Sequence, residues 1–355
     1  MKLKKLFAGV VAVAMMATMA MPSFAAKHTY DETKLEDHSS ITVTKVYTMV
    51  GTGSSPKETF TLEQVGDGVV TKGGATTAPA LGTITGYEFA AGAATASGAK
   101  GDITINLPEN YTAPGVYEYT LKEAVGSNAG VTYRDSNKTI KLVVTVVSDD
   151  AGKLYRYAGI HTETSDSDEK SDEFGNTYSA NSLTLTKKVQ GNGADRNKHF
   201  EFVIKLTGEN GKTYAEKYDI TGNAGFDATK SASSITVDGE GAHVWLKNDG
   251  TVTIANLPKD VKWEITEVGA ATATEGNNAG KVVNGEYVVT VPTNANGSIS
   301  VAENASTNNS VEFINKSTVN VDTGVILDNA PYMLMLAVVA GGAMTLVIKK
   351  RREEE

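Results

Sequence analysis

LTLTK, residues Leu183–Lys187, restates ITVTK, residues Ile41–Lys45, 142 positions earlier in the chain. Side chains of an extended strand alternate faces with period two. Ile41, Val43 and Lys45 therefore share one face, as do Leu183, Leu185 and Lys187. The same parity recurs in two further pairs of segments. Tyr117, Tyr119, Leu121 and Glu123 alternate within GVYEYTLKE, and Trp263, Ile265 and Glu267 within VKWEITE. Phe174 and Asn176 close EFGN; Val311, Phe313 and Asn315 close VEFIN. Each lysine, glutamate and asparagine is thus in phase with the apolar face of its strand. A slip of one residue would turn a whole set outward, so the shared phase has structural content.

Order and spacing repeat as well. Lys to Glu is 78 residues and then 80, and Glu to Asn is 53 and then 48. A buried Lys or Glu without a partner is costly, and desolvation disfavours the charged form of either group. A neutral amine beside a protonated acid and an asparagine amide can expel ammonia and leave a Lys–Asn isopeptide bond, accelerated by proximity alone. The bland alternative is a snorkelling Lys, a surface Glu and a turn Asn at three unrelated strand ends. Two copies with matched order, spacing and phase favour the triads Lys45–Glu123–Asn176 and Lys187–Glu267–Asn315. Lys188 is out of phase with Leu183 and Leu185, and Asn181 sits in a polar stretch without a Phe two residues before it.

The chain has 355 residues, 35 glycines and no cysteine, so disulfide staples are excluded. Short alternating runs between turn signals predict an all-β chain of two tandem Ig-like β-sandwiches, residues 41–180 and 181–318. Strands are expected at Ile41–Tyr47, Thr59–Gln64, Tyr117–Ala124, Thr139–Val147 and Leu154–Thr162 in the first. In the second they are expected at Leu183–Val189, Phe200–Leu206, Thr251–Ala255, Val261–Glu267, Tyr287–Val291 and Ser310–Asn315. GTGSSP at Gly51–Pro56 reads as a turn, the small-residue run Ala91–Ala99 as flexible, and Thr177–Ser182 as a short polar link between the domains.

Residues 1–25 read as a secretory signal peptide: Lys2, Lys4 and Lys5 precede the apolar run Leu6–Met21 and a small-x-small cleavage site. Residues 26–40 read as an extended lead-in. At the other end, within 319–355, NVDTG at Asn320–Gly324 precedes an apolar segment at 332–348 and the basic cluster Lys349–Arg352, which would hold the tail on the cytoplasmic side. Processing at both ends would remove seven basic and four acidic residues from 33 and 42, leaving 26 against 38 and a net charge of −12. So acidic a surface argues against nucleic acid as a partner.

LTLTKKVQGNGADRNKHFEF (Leu183–Phe202), GVYEYTLKE, the FGN and FIN strand ends and the NVDTG tail together resemble Gram-positive backbone pilins of the streptococcal T-antigen type, with Cna-B-type domains. The resemblance covers both domains and both ends. It implies Lys45–Asn176 and Lys187–Asn315 isopeptide bonds, assisted by Glu123 and Glu267, with no cofactor and no metal. It also implies a class C sortase cutting between Thr323 and Gly324 and joining Thr323 to a lysine of an identical subunit. Lys170, in SDSDEKSDEFGN, is the corresponding acceptor candidate. It departs from the family pattern by standing one residue closer to the phenylalanine, among acids, and a solvated surface lysine is the competing reading. The further partners implied are peptidoglycan, through a housekeeping sortase or a basal pilin, and a tip adhesin. The implied location is the cell wall and pilus surface, after transient membrane anchoring.

A sortase-anchored adhesin that is never polymerised would share all these features except the acceptor lysine. An enzyme is disfavoured: His28, His38, His161, His199 and His243 are scattered, and neither HExxH nor GxSxG occurs. A calcium loop at Glu163–Glu173 lacks the glycine expected at its sixth position.

Overall fold

The computed structural model describes residues 35–135, 137–162, 172–301 and 309–319. The signal segment, most of the lead-in, Lys170, the Thr323–Gly324 junction and the apolar segment 332–348 lie outside the described residues. Among those described, structure is almost entirely strand, with one short 3-10 turn at Gly276–Asn278 and no α-helix.

The first unit is framed by β1 (Ser40–Gly51), β2 (Glu58–Phe60), β3 (Leu62–Gln64), β4 (Ala99–Asn106), β5 (Gly115–Glu123), β6 (Ile140–Ser148) and β7 (Leu154–Thr162). Its last strand is the long β8 (Glu173–Gln190). One sheet is β4–β1–β8, with β1 antiparallel to β4 and parallel to β8. The facing sheet is the antiparallel run β7–β6–β5–β3. Their inner faces bury Val43, Tyr47, Ile103, Ile105, Tyr117, Tyr119, Leu121, Leu142 and Val144, the alternation expected of a sandwich.

The second unit begins on the same β8 and continues through β9 (Phe200–Thr207), β10 (Tyr218–Gly222), β11 (Ala242–Leu246), β12 (Thr251–Pro258), β13 (Lys262–Glu267), β14 (Val282–Asn284), β15 (Tyr287–Thr290) and β16 (Ser310–Ser317). One sheet reads β10–β12–β8–β16–β15–β14, with β8 and β16 parallel; the other contains β11–β9–β13. Its core is separate and includes Leu183, Leu185, Phe202, Ile204, Val244, Ile254, Trp263, Ile265 and Phe313.

The polar link expected at Thr177–Ser182 is not a loop. Thr177 and Tyr178 pair with Thr132 and Val131, and Ala180 pairs with Pro258, so extended backbone runs from one sandwich into the other. Tyr178 and Ala180 are buried, and the ladder shifts register only between Asn181 and Leu183. The expected strand Thr59–Gln64 is broken at Thr61. β2 pairs with Tyr87–Phe89, whereas β3 joins β5. β4, β10 and β11 were not expected from the sequence, and Ala94 of the small-residue run is buried beside the Thr48–Thr95 bridge.

Candidate functional site

Parallel pairing of first and last strand positions the amine and the amide in both units. Lys45 faces Phe174 across the ladder, and Tyr47 faces Asn176. In the second unit Lys187 faces Phe313, and Val189 faces Asn315. The register is the same in each: the amide lies one pleat beyond the amine, on the inner face. The acid arrives from the opposite sheet, because Glu123 is the last residue of β5 and Glu267 the last residue of β13.

All six side chains are buried, none more than 3% exposed. Lys45 Nζ donates to Glu123 Oε1 at 2.6 Å, and Asn176 Nδ2 donates to both carboxyl oxygens at 2.9 Å. The Arg134 backbone N–H donates to Glu123 Oε2 at 2.7 Å. In the second unit Lys187 Nζ donates to Glu267 Oε2 at 2.9 Å and Asn315 Nδ2 to Oε1 at 2.6 Å. Asn284 Nδ2 donates to the same Oε1 at 2.8 Å. Asn176 Oδ1 and Asn315 Oδ1 are both buried without a hydrogen-bond partner among the described residues. Buried carbonyl oxygens are rarely left so.

Aromatic rings wall off each amine. Lys45 Nζ lies 3.9 Å from the Phe174 ring centre and 4.5 Å from that of Phe60. Lys187 Nζ lies 4.6 Å from Phe200 and 5.4 Å from Phe202. Burial pushes each lysine down to about 8, against the opposing pull of its glutamate. A lysine in that range supplies free amine near neutral pH, which an exposed one does not.

The nearest sequence competitors lie elsewhere. Lys188 is on the outer face, 2.7 Å from Asp249, and Asn181 is tied to Thr52, Ser182 and Ser300 at the junction of the units. Sequence reasoning missed Arg134, Asn284 and the walls Phe60 and Phe200. The alternation in TFTL and HFEF marks the phenylalanines as inward, but which of them meets the amine depends on the facing sheet. Among the described residues no group of three or more His, Asp or Glu could hold a metal ion.

Fold and site together define a tandem β-sandwich protein with one buried Lys–Glu–Asn set in each unit. Residues 41–179 match the family model of the Spy0128-like isopeptide-containing domain. Residues 181–317 match a domain of unknown function, DUF7601. The chain as a whole resembles Gram-positive major pilins. It is 27% identical over 343 residues to a protein named Pilin from Streptococcus pyogenes serotype M1, covering 93% of this chain and 96% of that one. Over 100 residues it is 32% identical to the pilus tip adhesin Cpa of Streptococcus pyogenes, covering 27% of this chain and 13% of the adhesin. The crystal structure of the major pilin from Streptococcus pyogenes aligns with 79% of this chain and 99% of its own, at 21% identity and a TM-score of 0.47.

Proposed function

We propose that the chain is the backbone subunit of a covalently assembled pilus, hardened by Lys45–Asn176 and Lys187–Asn315 isopeptide bonds. The observation that carries this reading is the duplicated buried set, held in the same parallel register in both units. In each, the neutral lysine Nζ attacks the asparagine Cγ, the Cγ–Nδ2 bond breaks, and Nδ2 leaves as ammonia. The glutamate carboxyl takes the proton that Nζ sheds and hands it to Nδ2, so no outside reactant is required. The glutamates serve only this one-time internal reaction, so the chain turns over no substrate.

Each bond would close a loop of about 130 residues. By analogy with disulfide loop closure, that contributes about 5 kcal/mol. The mechanical effect is larger in kind. Tension entering a unit on its first strand would leave by its last through one covalent bridge, and the rest of the sandwich would carry no load.

Assembly rests on the sequence resemblance and on the near full-length similarity to a streptococcal pilin. A class C sortase would cleave Thr323–Gly324 and transfer Thr323 to a lysine of the next identical subunit, with Lys170 as the candidate acceptor. A housekeeping sortase or basal pilin would join the fibre to peptidoglycan, and a tip adhesin would cap it on the cell surface.

Intact-mass measurement of residues 26–323 tests the internal bonds. The expected deficit is two ammonias, and an unshifted mass overturns them. A ladder of high-mass species in cell-wall extracts tests assembly. A single band would instead favour an anchored but unpolymerised adhesin, and a ladder that survives Lys170→Ala would move the acceptor elsewhere.

A further inference from the structure

Glu267 is gripped from a side that the Lys–Glu–Asn triad does not account for. Asn284 ends β14, immediately before Gly285, whose positive φ of 59° turns the chain into β15. β15 in turn pairs with β16, placing Val289 opposite Asn315. The β14–β15 hairpin therefore borders the strand that bears the reacting amide, and its turn reaches the acid. Asn284 Nδ2 donates to Glu267 Oε1 at 2.8 Å and to the Val268 carbonyl at 3.1 Å. It is thus fixed to the backbone just beyond Glu267 while it holds the carboxyl. In the first unit the equivalent donation to Glu123 comes from the Arg134 backbone N–H. The two units meet one requirement with different chemistry.

We propose that Asn284 is a positioning residue for isopeptide formation in the second unit. By occupying Oε1 together with Asn315, it leaves Oε2, the oxygen that faces Lys187 Nζ at 2.9 Å, to receive the amine's proton. Asn284 forms and breaks no bond in the reaction. It prevents the carboxyl from rotating about its Cγ–Cδ bond, so that attack and proton transfer occur in one geometry. This rests on the bond-forming reading above. An error of about 1 Å in such an arrangement costs on the order of 100-fold in rate.

The test follows ammonia loss by intact mass at intervals after cell-free synthesis of the full chain. Lys45–Asn176 serves as the internal control. In Asn284→Ala the first ammonia is lost at the parental rate, and the second is slowed on the order of 100-fold. Asn284→Asp separates positioning from mere support of the turn. Facing Glu267, the new side chain can donate to Oε1 only when protonated. Its rate relative to the parent chain at the same pH should therefore rise as pH falls. Loss of the second ammonia at the parental rate in Asn284→Ala overturns the proposal, as does a pH-independent ratio for Asn284→Asp. A parent chain that loses no ammonia overturns the bond-forming reading itself, so the two failures are distinct.

Discussion

Asn176 and Lys187 stand on one uninterrupted strand, β8, 11 residues apart. At about 3.3 Å per residue, they are separated by roughly 36 Å of extended backbone. The amide proposed to close the first unit and the amine proposed to close the second therefore share a main chain with no loop between them. Force crossing the molecule would pass from β1 through Lys45–Asn176 into β8, along it, and out through Lys187–Asn315 into β16.

We predict that the chain, tethered at its ends, will show no unit-sized extension in single-molecule force measurements. Asn315→Ala should release the 127 residues between positions 187 and 315, a gain on the order of 400 Å. Asn176→Ala should release a similar length from the first unit only. Such steps in the parent chain would contradict the load path.

The pH dependence of a chain lacking the bonds has a definite sign. In the Asn176→Ala, Asn315→Ala double variant the lysines remain buried, with folded-state values of about 8 against an ordinary 10.5. Between those limits the unfolded chain binds more protons than the folded one, so stability must rise with pH. Denaturant titrations from pH 7 to 11 should show a rise of up to about 3 kcal/mol per lysine through that window. A fall would mean that the amines are charged in the folded state throughout.

Phe60 should matter for both stability and chemistry. It is fully buried and lies 4.5 Å from the Lys45 amine. Phe60→Ala should cost about 3–5 kcal/mol and admit water to the amine. The Lys45–Asn176 bond should then form more slowly, while Lys187–Asn315 forms as before. Equal slowing of both, followed by peptide mass mapping, would count against local desolvation as the cause.

The join between units should stiffen without adding much stability. Asn256 adopts a left-handed φ of 60°, and its Oδ1 accepts the Ser54 N–H at 2.8 Å across the junction. Gly53 is required opposite it, since a Cβ there would lie 2.1 Å from that oxygen. Asn256→Gly relieves the backbone and removes the bridge. Its melting temperature should correspond to a change of about 1 kcal/mol or less, while small-angle scattering should report a wider range of inter-unit angles. An unchanged scattering profile would assign the rigidity to β8 alone.

Much of the candidate site was legible because a strand writes its inner face at every second residue. Lys45, Glu123 and Asn176 each follow buried neighbours of the same parity, and the second set repeats the pattern. Strand ends were legible where alternation was strong, as at Phe200–Leu206, which the structure extends by one residue. β4 was missed because AKGDITIN starts with small and charged residues, and β10 and β11 because they span only five residues each. The stretch Thr177–Ser182 looks like a linker by composition, yet partners on both sides hold it extended.

Local alternation was enough to determine which six polar residues face inward, and that they do so in two matched sets. Only the tertiary structure decided that first and last strands run parallel in a common register, which places each amide one pleat beyond its amine. It also decided which rings and donors surround the reacting groups, including Asn284, and that one strand serves both units. Those outcomes depend on pairing between residues far apart in the chain, and period-two alternation carries no information about which strand lies beside which.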